Sequence, residues 1–166
     1  VMASLLRLTA DEVTGRGTGL DELSMQRKKE IIARAIFINQ PDPDDPVDVL
    51  AKVGGLEIAA LTGLIIGAAS RRVPVVIDGF ISTVAALAAY KLAPLSRSFI
   101  IPSHCSAEKA HRRLLEYLNF KPLLELKMRL GEGTGAVLAF HIIEAAVKII
   151  KEMATFETAG VSRRDE

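Results

Sequence analysis

Apolar residues recur along this chain in blocks separated by glycine, proline and aspartate, and the blocks differ in period. Leu5-Leu6-Arg7-Leu8 reads as the end of a helix already in progress. Thr9-Ala10-Asp11-Glu12 has the form of a capping box, with Thr9 as N-cap and Glu12 reaching back to it. A glycine-rich turn follows, Gly15-Arg16-Gly17-Thr18-Gly19. Positions 24–38 then repeat at helical spacing. Met25, Ile32, Ala35 and Ile36 share one face, with Arg27, Lys29, Glu30 and Arg34 toward solvent. Asn39 and Pro41 stop that helix. In Gln40-Pro41-Asp42-Pro43-Asp44-Asp45-Pro46 each pre-proline position disfavours helix, so the segment is a stiff connection. A short helix is expected over 47–52, and Gly54-Gly55 breaks it. Residues 56–70 form an almost uniformly apolar helix, which has to be covered on most sides.

The period then changes. Val73-Pro74-Val75-Val76-Ile77, bounded by Asp78-Gly79, is a β-branched run of the kind found in buried parallel strands. A helix over 82–91 follows, then a second strand at Ser98-Phe99-Ile100-Ile101-Pro102. The next helix covers 106–118, with Ser106 or Ser103 as its cap. A third extended run is expected at 125–130. Gly131-Glu132-Gly133-Thr134-Gly135 is a second glycine-rich turn, and a long final helix occupies 136–155 before a polar tail at 162–166. Strands alternating with helices predict an α/β fold, a Rossmann-like parallel sheet flanked by helices, as one region over 1–166. Three strands are few for so much apolar helix, so the expectation is a partial domain with few strands and a long C-terminal helix. Position 1 is Val and the apolar pattern begins at once. Either a valine codon served as initiator or the chain is a piece of something longer.

Composition narrows the function. With 49% apolar residues in 166, the chain can bury a core, which excludes disorder. Lys+Arg is 21 and Asp+Glu is 20, a net charge of +1, which removes the electrostatic argument for a nucleic-acid partner or an anionic membrane surface. There is no Trp, and aromatics at 5% give little for bases to stack on. The longest uncharged stretches, 58–70 and 79–90, fall short of the roughly 20 apolar residues of a membrane span. The single cysteine, Cys105, excludes an internal disulfide and a multi-thiolate metal site, and a reducing cytoplasm is the simplest compartment. The first residues lack the long apolar region of a signal peptide.

Candidate chemistry gathers where ligands bind in open parallel sheets, at the carboxyl ends of the strands. Three turns fall there: Asp78-Gly79-Phe80, Ser103-His104-Cys105-Ser106 and the turn around Glu132. Each leads toward a helix N-terminus, where backbone N–H groups favour anions such as phosphate. The glycines flanking Glu132 let its carboxylate project into a site as a general base; it could equally favour the start of the following helix through the dipole. Asp78 is either a ribose-hydroxyl acceptor or a turn and N-cap aspartate. His104-Cys105 suggests a Cys–His nucleophile, but adjacent residues at a strand end point apart, which favours a packed thiol and a turn histidine. Zinc through His104, Cys105 and His111 lacks an evident fourth ligand. His141 lies inside the last helix, packed or partly exposed. Lys28 and Arg16 belong either to solvated surface or to a phosphate site. Neither a Walker A loop nor the Gly-x-Gly-x-x-Gly dinucleotide fingerprint is present, which argues against an α/β oxidoreductase.

Several of these segments occur in a fixed order: Ile38-Asn39-Gln40-Pro41, Gly54-Gly55-Leu56-Glu57, Pro74-Val75-Val76-Ile77-Asp78-Gly79-Phe80, Ile101-Pro102-Ser103-His104-Cys105-Ser106-Ala107-Glu108 and Leu130-Gly131-Glu132-Gly133-Thr134-Gly135-Ala136. Together they resemble the nicotinate-nucleotide–dimethylbenzimidazole phosphoribosyltransferase family, across essentially the whole chain. The resemblance implies transfer of the phosphoribosyl group of nicotinate mononucleotide to a benzimidazole base, in assembly of the cobalamin nucleotide loop. It implies Glu132 as catalytic base, Lys28, Asp78 and Gly79 on the phosphoribosyl side, Ser106 facing nicotinate or the ribose, and Leu130 and Gly131 lining the base pocket. It implies no metal and no redox cofactor. The partners implied are the two small-molecule substrates, a second copy in a homodimer and/or a missing N-terminal half. Family members are longer, and a Gly-Glu-Met-Gly-Ile-Gly-Asn-Thr-Thr-like loop would precede residue 1. The chain is therefore expected to be the C-terminal portion, either of an active enzyme or as a catalytically inactive phosphate- or nucleotide-binding module.

Overall fold

The computed structural model describes residues 1–15 and 21–160. The Gly-Arg-Gly-Thr-Gly turn with Arg16 and the polar tail therefore lie outside the described residues, apart from Gly15. Element order is α1 (Met2–Leu6), α2 (Ala10–Val13), α3 (Glu22–Asn39), α4 (Pro46–Val53), α5 (Leu56–Ser70), β1 (Val75–Ile77), α6 (Phe80–Leu92), a 3-10 helix (Pro94–Phe99), β2 (Ile100–Pro102), α7 (Lys109–Tyr117) and α8 (Thr134–Glu152).

Local signals account for most of these boundaries. The Thr9 side chain accepts from the Glu12 backbone N–H while the Glu12 carboxylate accepts from the Thr9 N–H, so the capping box forms as expected. Asp21 caps α3, and Asp45 caps α4 with Pro46 in its first turn. Gly54 and Gly55 separate α4 from α5.

The two strands are parallel, with Val75 opposite Ile100, Val76 opposite Ile101 and Ile77 opposite Pro102. The third strand expected at 125–130 does not form. A single parallel bridge joins His104 to Leu124 instead. Pro122 has no N–H to give to a ladder, and Lys127 sits at φ 51°, which turns the chain out of extended geometry. The helix expected from 106 begins only at Lys109, capped neither by Ser106 nor by Ser103. The Ser106 N–H donates to the His111 ring and the Ala107 N–H to the Met128 carbonyl, and both residues stay outside the helix.

Helix α6 lies at the centre. Seven consecutive residues from Thr83 to Ala89 are buried. One side packs on Met2, Leu5, Val49, Leu114 and Leu118 of α1, α4 and the α7 region. The other packs with Ile65 of α5 and with Ile77 and Ile100 of the strands. This arrangement is α/β with a small parallel sheet flanked by helices. The cover on most sides expected for α5 is not found among the described residues. Only Thr62 and Ile65 of that helix are buried, and Leu56 is 90% exposed. On α8 only Gly135 and Ala139 are buried, while Phe140, Ile142, Ile149 and Ile150 face outward. His141 is exposed as well.

Candidate active site

A cleft of about 590 Å³ opens at the carboxyl ends of β1 and β2. Its walls bring together six of the residues predicted from sequence: Asp78, Gly79, Ser106, Leu130, Gly131 and Glu132. Lys28 is not on the wall. Its Nζ donates to the carbonyl of Gly15 at 3.3 Å, and Gly15 does line the cleft, so Lys28 stands one residue behind the rim.

The turn that carries Glu132 is built from unusual backbone. Glu132 has φ 63° and Gly133 φ 81°, two successive left-handed residues that swing the chain into α8. Glycine takes that conformation freely, whereas a glutamate in it needs outside support. Thr134 Oγ1 donates to the Gly131 carbonyl at 2.9 Å. The stronger support comes from Asp78. Its Oδ2 accepts from the Gly133 N–H at 3.2 Å and its Oδ1 from the Ala136 N–H at 3.1 Å. Asp78 therefore acts as a distant N-cap for α8, whose own cap residue, Gly133, supplies no side chain. Two N–H groups at that helix start are thus already taken by a carboxylate. Glu132 itself is exposed at the lip of the cleft.

Helix α6 starts differently. Its N-cap is Gly79, among the described residues no side chain caps it, and Gly79, Phe80 and Ile81 all line the cleft. A helix N-terminus open to a cleft is a ready site for an anion.

Beneath the cleft lie two buried histidines. His104, also on the cleft wall, has Nδ1 2.9 Å from Ser103 Oγ and 3.8 Å from Asp78 Oδ1. Gly135 packs so closely on it that a Cβ there would overlap Nδ1 and Cε1 of the ring. His111 has no exposed surface, and its ring sits edge-on to His104 at 6.0 Å between centroids. Burial lowers its pKa to about 4, the neighbouring His104 adds to the drop, and Asp78 opposes it. Sequence reasoning set aside His111 and did not single out Thr83. The available signal was a lone threonine opening the apolar run Thr83-Val84-Ala85-Ala86-Leu87 of α6, a core position that demands a polar partner.

Cys105 is a packed thiol. It is buried, burial raises its pKa, and Sγ lies 3.7 Å from the Ser106 carbonyl. Among the described residues no three histidine, cysteine, aspartate or glutamate side chains are grouped so as to hold a metal ion. No helix among them is long and apolar enough to cross a membrane.

A small parallel sheet with a glycine-lined cleft at its carboxyl edge, beside the uncapped start of α6, defines an α/β protein of the kind that binds ligands at the ends of its strands. Comparison with known proteins makes this specific. A phosphoribosyltransferase family model matches residues 1–161. The chain is 57% identical over 164 residues to the nicotinate-nucleotide–dimethylbenzimidazole phosphoribosyltransferase of Chloroflexus aurantiacus, covering 99% of this chain and 47% of that protein. It is 54% identical over 163 residues to the protein of that name from Desulforamulus reducens, covering 98% of this chain and 46% of that one. The crystal structure of CobT from Thermus thermophilus superposes with a TM-score of 0.90 at 45% identity, over 98% of this chain and 48% of that one. The chain belongs to this phosphoribosyltransferase family, and it spans about half the length of the curated relatives it matches.

Proposed function

We propose that this chain is the C-terminal portion of an enzyme that transfers the phosphoribosyl group of nicotinate mononucleotide to 5,6-dimethylbenzimidazole or a related base, giving α-ribazole 5′-phosphate and nicotinate. The relatives' name supports the reaction. The single observation that carries the assignment to this cleft is the Glu132 turn, held by Asp78 at the rim beside the uncapped start of α6. Glu132 is the general base. The bond from C1′ to the nicotinate nitrogen breaks, and the ring nitrogen leaves with the electron pair as a neutral pyridine, so it needs no acid. One benzimidazole nitrogen attacks C1′ while the other loses its proton to the Glu132 carboxylate. The N-terminus of α6 holds the phosphate, and Lys28, bonded to the Gly15 carbonyl at the rim, serves the same group. Ser106 contacts nicotinate or the ribose, and Leu130 and Gly131 line the base pocket. Proximity and orientation supply much of the remaining acceleration.

The open apolar faces of α5 and α8 support pairing with a second copy and/or with the remaining half of the longer enzyme. The lone cysteine suits a reducing cytoplasm. The test is a chromatographic assay for α-ribazole 5′-phosphate and nicotinate, with and without Glu132→Gln. That substitution is expected to lower kcat by about 10²–10⁴-fold with the fold intact. Near-normal turnover removes Glu132 from the role. A second reading follows from the half-length coverage: a module that binds the phosphorylated ligand without catalysis. Calorimetric binding of nicotinate mononucleotide without product by the chain favours it.

A further inference from the structure

A buried polar chain links two walls of the cleft, and the proposed reaction makes no direct use of it. His111 Nδ1 accepts from the Ser106 backbone N–H at 3.0 Å, and Ser106 Oγ is 2.9 Å from the same nitrogen. A ring nitrogen that accepts from an amide carries no proton, so in the neutral imidazole the hydrogen is on Nε2. Nε2 is 2.9 Å from Thr83 Oγ1 and donates to it. The Thr83 hydroxyl then donates to the Gly79 carbonyl at 2.8 Å. The two ends of this chain, Ser106 and Gly79, both line the cleft. The ring's neighbours, His104 at 6.0 Å and Phe80 at 6.2 Å between centroids, line it too.

We propose that His111, as the Nε2–H tautomer, is a positioning residue that holds the Ser106 loop and the Gly79 start of α6 in fixed relation across the substrate cleft. The idea rests on the phosphoribosyl reading. It ties the Ser106 loop to α7, the helix that carries the His111 ring and starts only at Lys109. It also explains a threonine at a fully buried position of α6, where its hydroxyl completes the relay. A protonated ring would point an N–H at the Ser106 N–H and break the chain. Burial keeps the ring neutral at physiological pH.

Two measurements test this. In protein carrying ¹⁵N-histidine, NMR reads the tautomer: His111 is expected to show an unprotonated Nδ1 and a protonated Nε2, and a protonated Nδ1 overturns the proposal. Calorimetry with nicotinate mononucleotide then compares variants shown by circular dichroism to be folded. His111→Phe fills the space without either hydrogen bond and is expected to weaken binding by about tenfold. His111→Asn returns an acceptor near the Nδ1 position and is expected to recover most of that loss. If His111→Phe does not fold, Thr83→Val removes the hydroxyl alone and is expected to weaken binding by several-fold. A folded His111→Phe, or failing that Thr83→Val, that binds as tightly as the unsubstituted protein overturns the positioning role. Absence of binding by the unsubstituted protein overturns the phosphoribosyl reading, and the positioning role falls with it even where the tautomer is as assigned.

Discussion

Asp78 offers the sharpest discrimination between two roles for one carboxylate. The family resemblance implies contact with the phosphoribosyl group, whereas in the fold both of its oxygens are spent on the backbone of Gly133 and Ala136. The perturbation is Asp78→Ala, with Asp78→Asn as its near-isosteric partner. A hydrogen bond to a charged group contributes about 1.5–3 kcal/mol, and loss of an N-cap costs about 0.5–2 kcal/mol. The side chain is 19% exposed, so water replaces part of what is lost. Asp78→Ala should therefore cost about 2–3 kcal/mol. Asp78→Asn keeps one acceptor but turns an amide NH2 toward the other N–H, and should cost about 1–2 kcal/mol. In a domain of this size the alanine variant should melt about 4–12 °C lower. Urea unfolding of both variants gives the magnitudes directly. The same loosening frees the Glu132 turn, so kcat should fall while KM for nicotinate mononucleotide stays within about twofold. Unchanged stability together with a tenfold rise in KM would refute the capping argument and return Asp78 to the sugar.

Gly135→Ala should destabilise by about 1–3 kcal/mol, because the new Cβ can be housed only if the His104 ring or the start of α8 moves; a melting temperature equal to that of the parent would show that His104 yields freely. Stability should also depend on pH through His111. Its folded pKa of about 4 lies below the ordinary 6.5, so the native state resists a proton that the unfolded chain accepts. Its contribution is complete above about pH 6.5 and is lost as pH falls toward 4, at most about 3 kcal/mol. Denaturant midpoints for the unsubstituted protein and His111→Phe across pH 7 to 4 should converge as pH falls, and parallel curves would contradict it. Glu12 acts in a lower window: its bonds to Thr9 and then Arg113 hold its pKa at about 2, so its support is present above pH 4.5 and disappears toward pH 2. Glu12→Gln should flatten that acid limb.

What could be read in the sequence follows the range of the forces involved. The capping box at Thr9 and Glu12, the stop at Gly54-Gly55 and the half-buried stripe Met25, Ile32, Ala35 and Ile36 depend on neighbours within a turn or two, and these features form as expected. The turns at the strand ends were legible for the same reason, and the fold does gather Asp78, Gly79, Ser106 and Glu132 around one cleft. The failures turn on backbone conformation and on partners that residue type alone does not show. The 125–130 segment has strand-like composition, but Lys127 turns left-handed and the pairing collapses to one bridge two residues after Pro122. Ser106 is a good cap by type, yet its Oγ lies 2.9 Å from the His111 ring and the helix starts three residues later. Asp78 could be read as a turn or capping aspartate, but the helix it caps begins more than fifty residues later. The apolar helix α5 required cover on most sides, and the described residues supply it on one. The last two outcomes depend on a partner distant in sequence. The cleft is built from such partners: Asp78 bonds to Gly133 and Ala136, His104 packs on Gly135, and His111 joins Ser106 to Thr83. A glutamate in left-handed backbone is a local cost, and it is tolerated because the Asp78 carboxylate at the end of β1 holds the turn that follows. Local rules therefore find the residues of the site, while its geometry depends on which distant hydrogen bonds the fold can close.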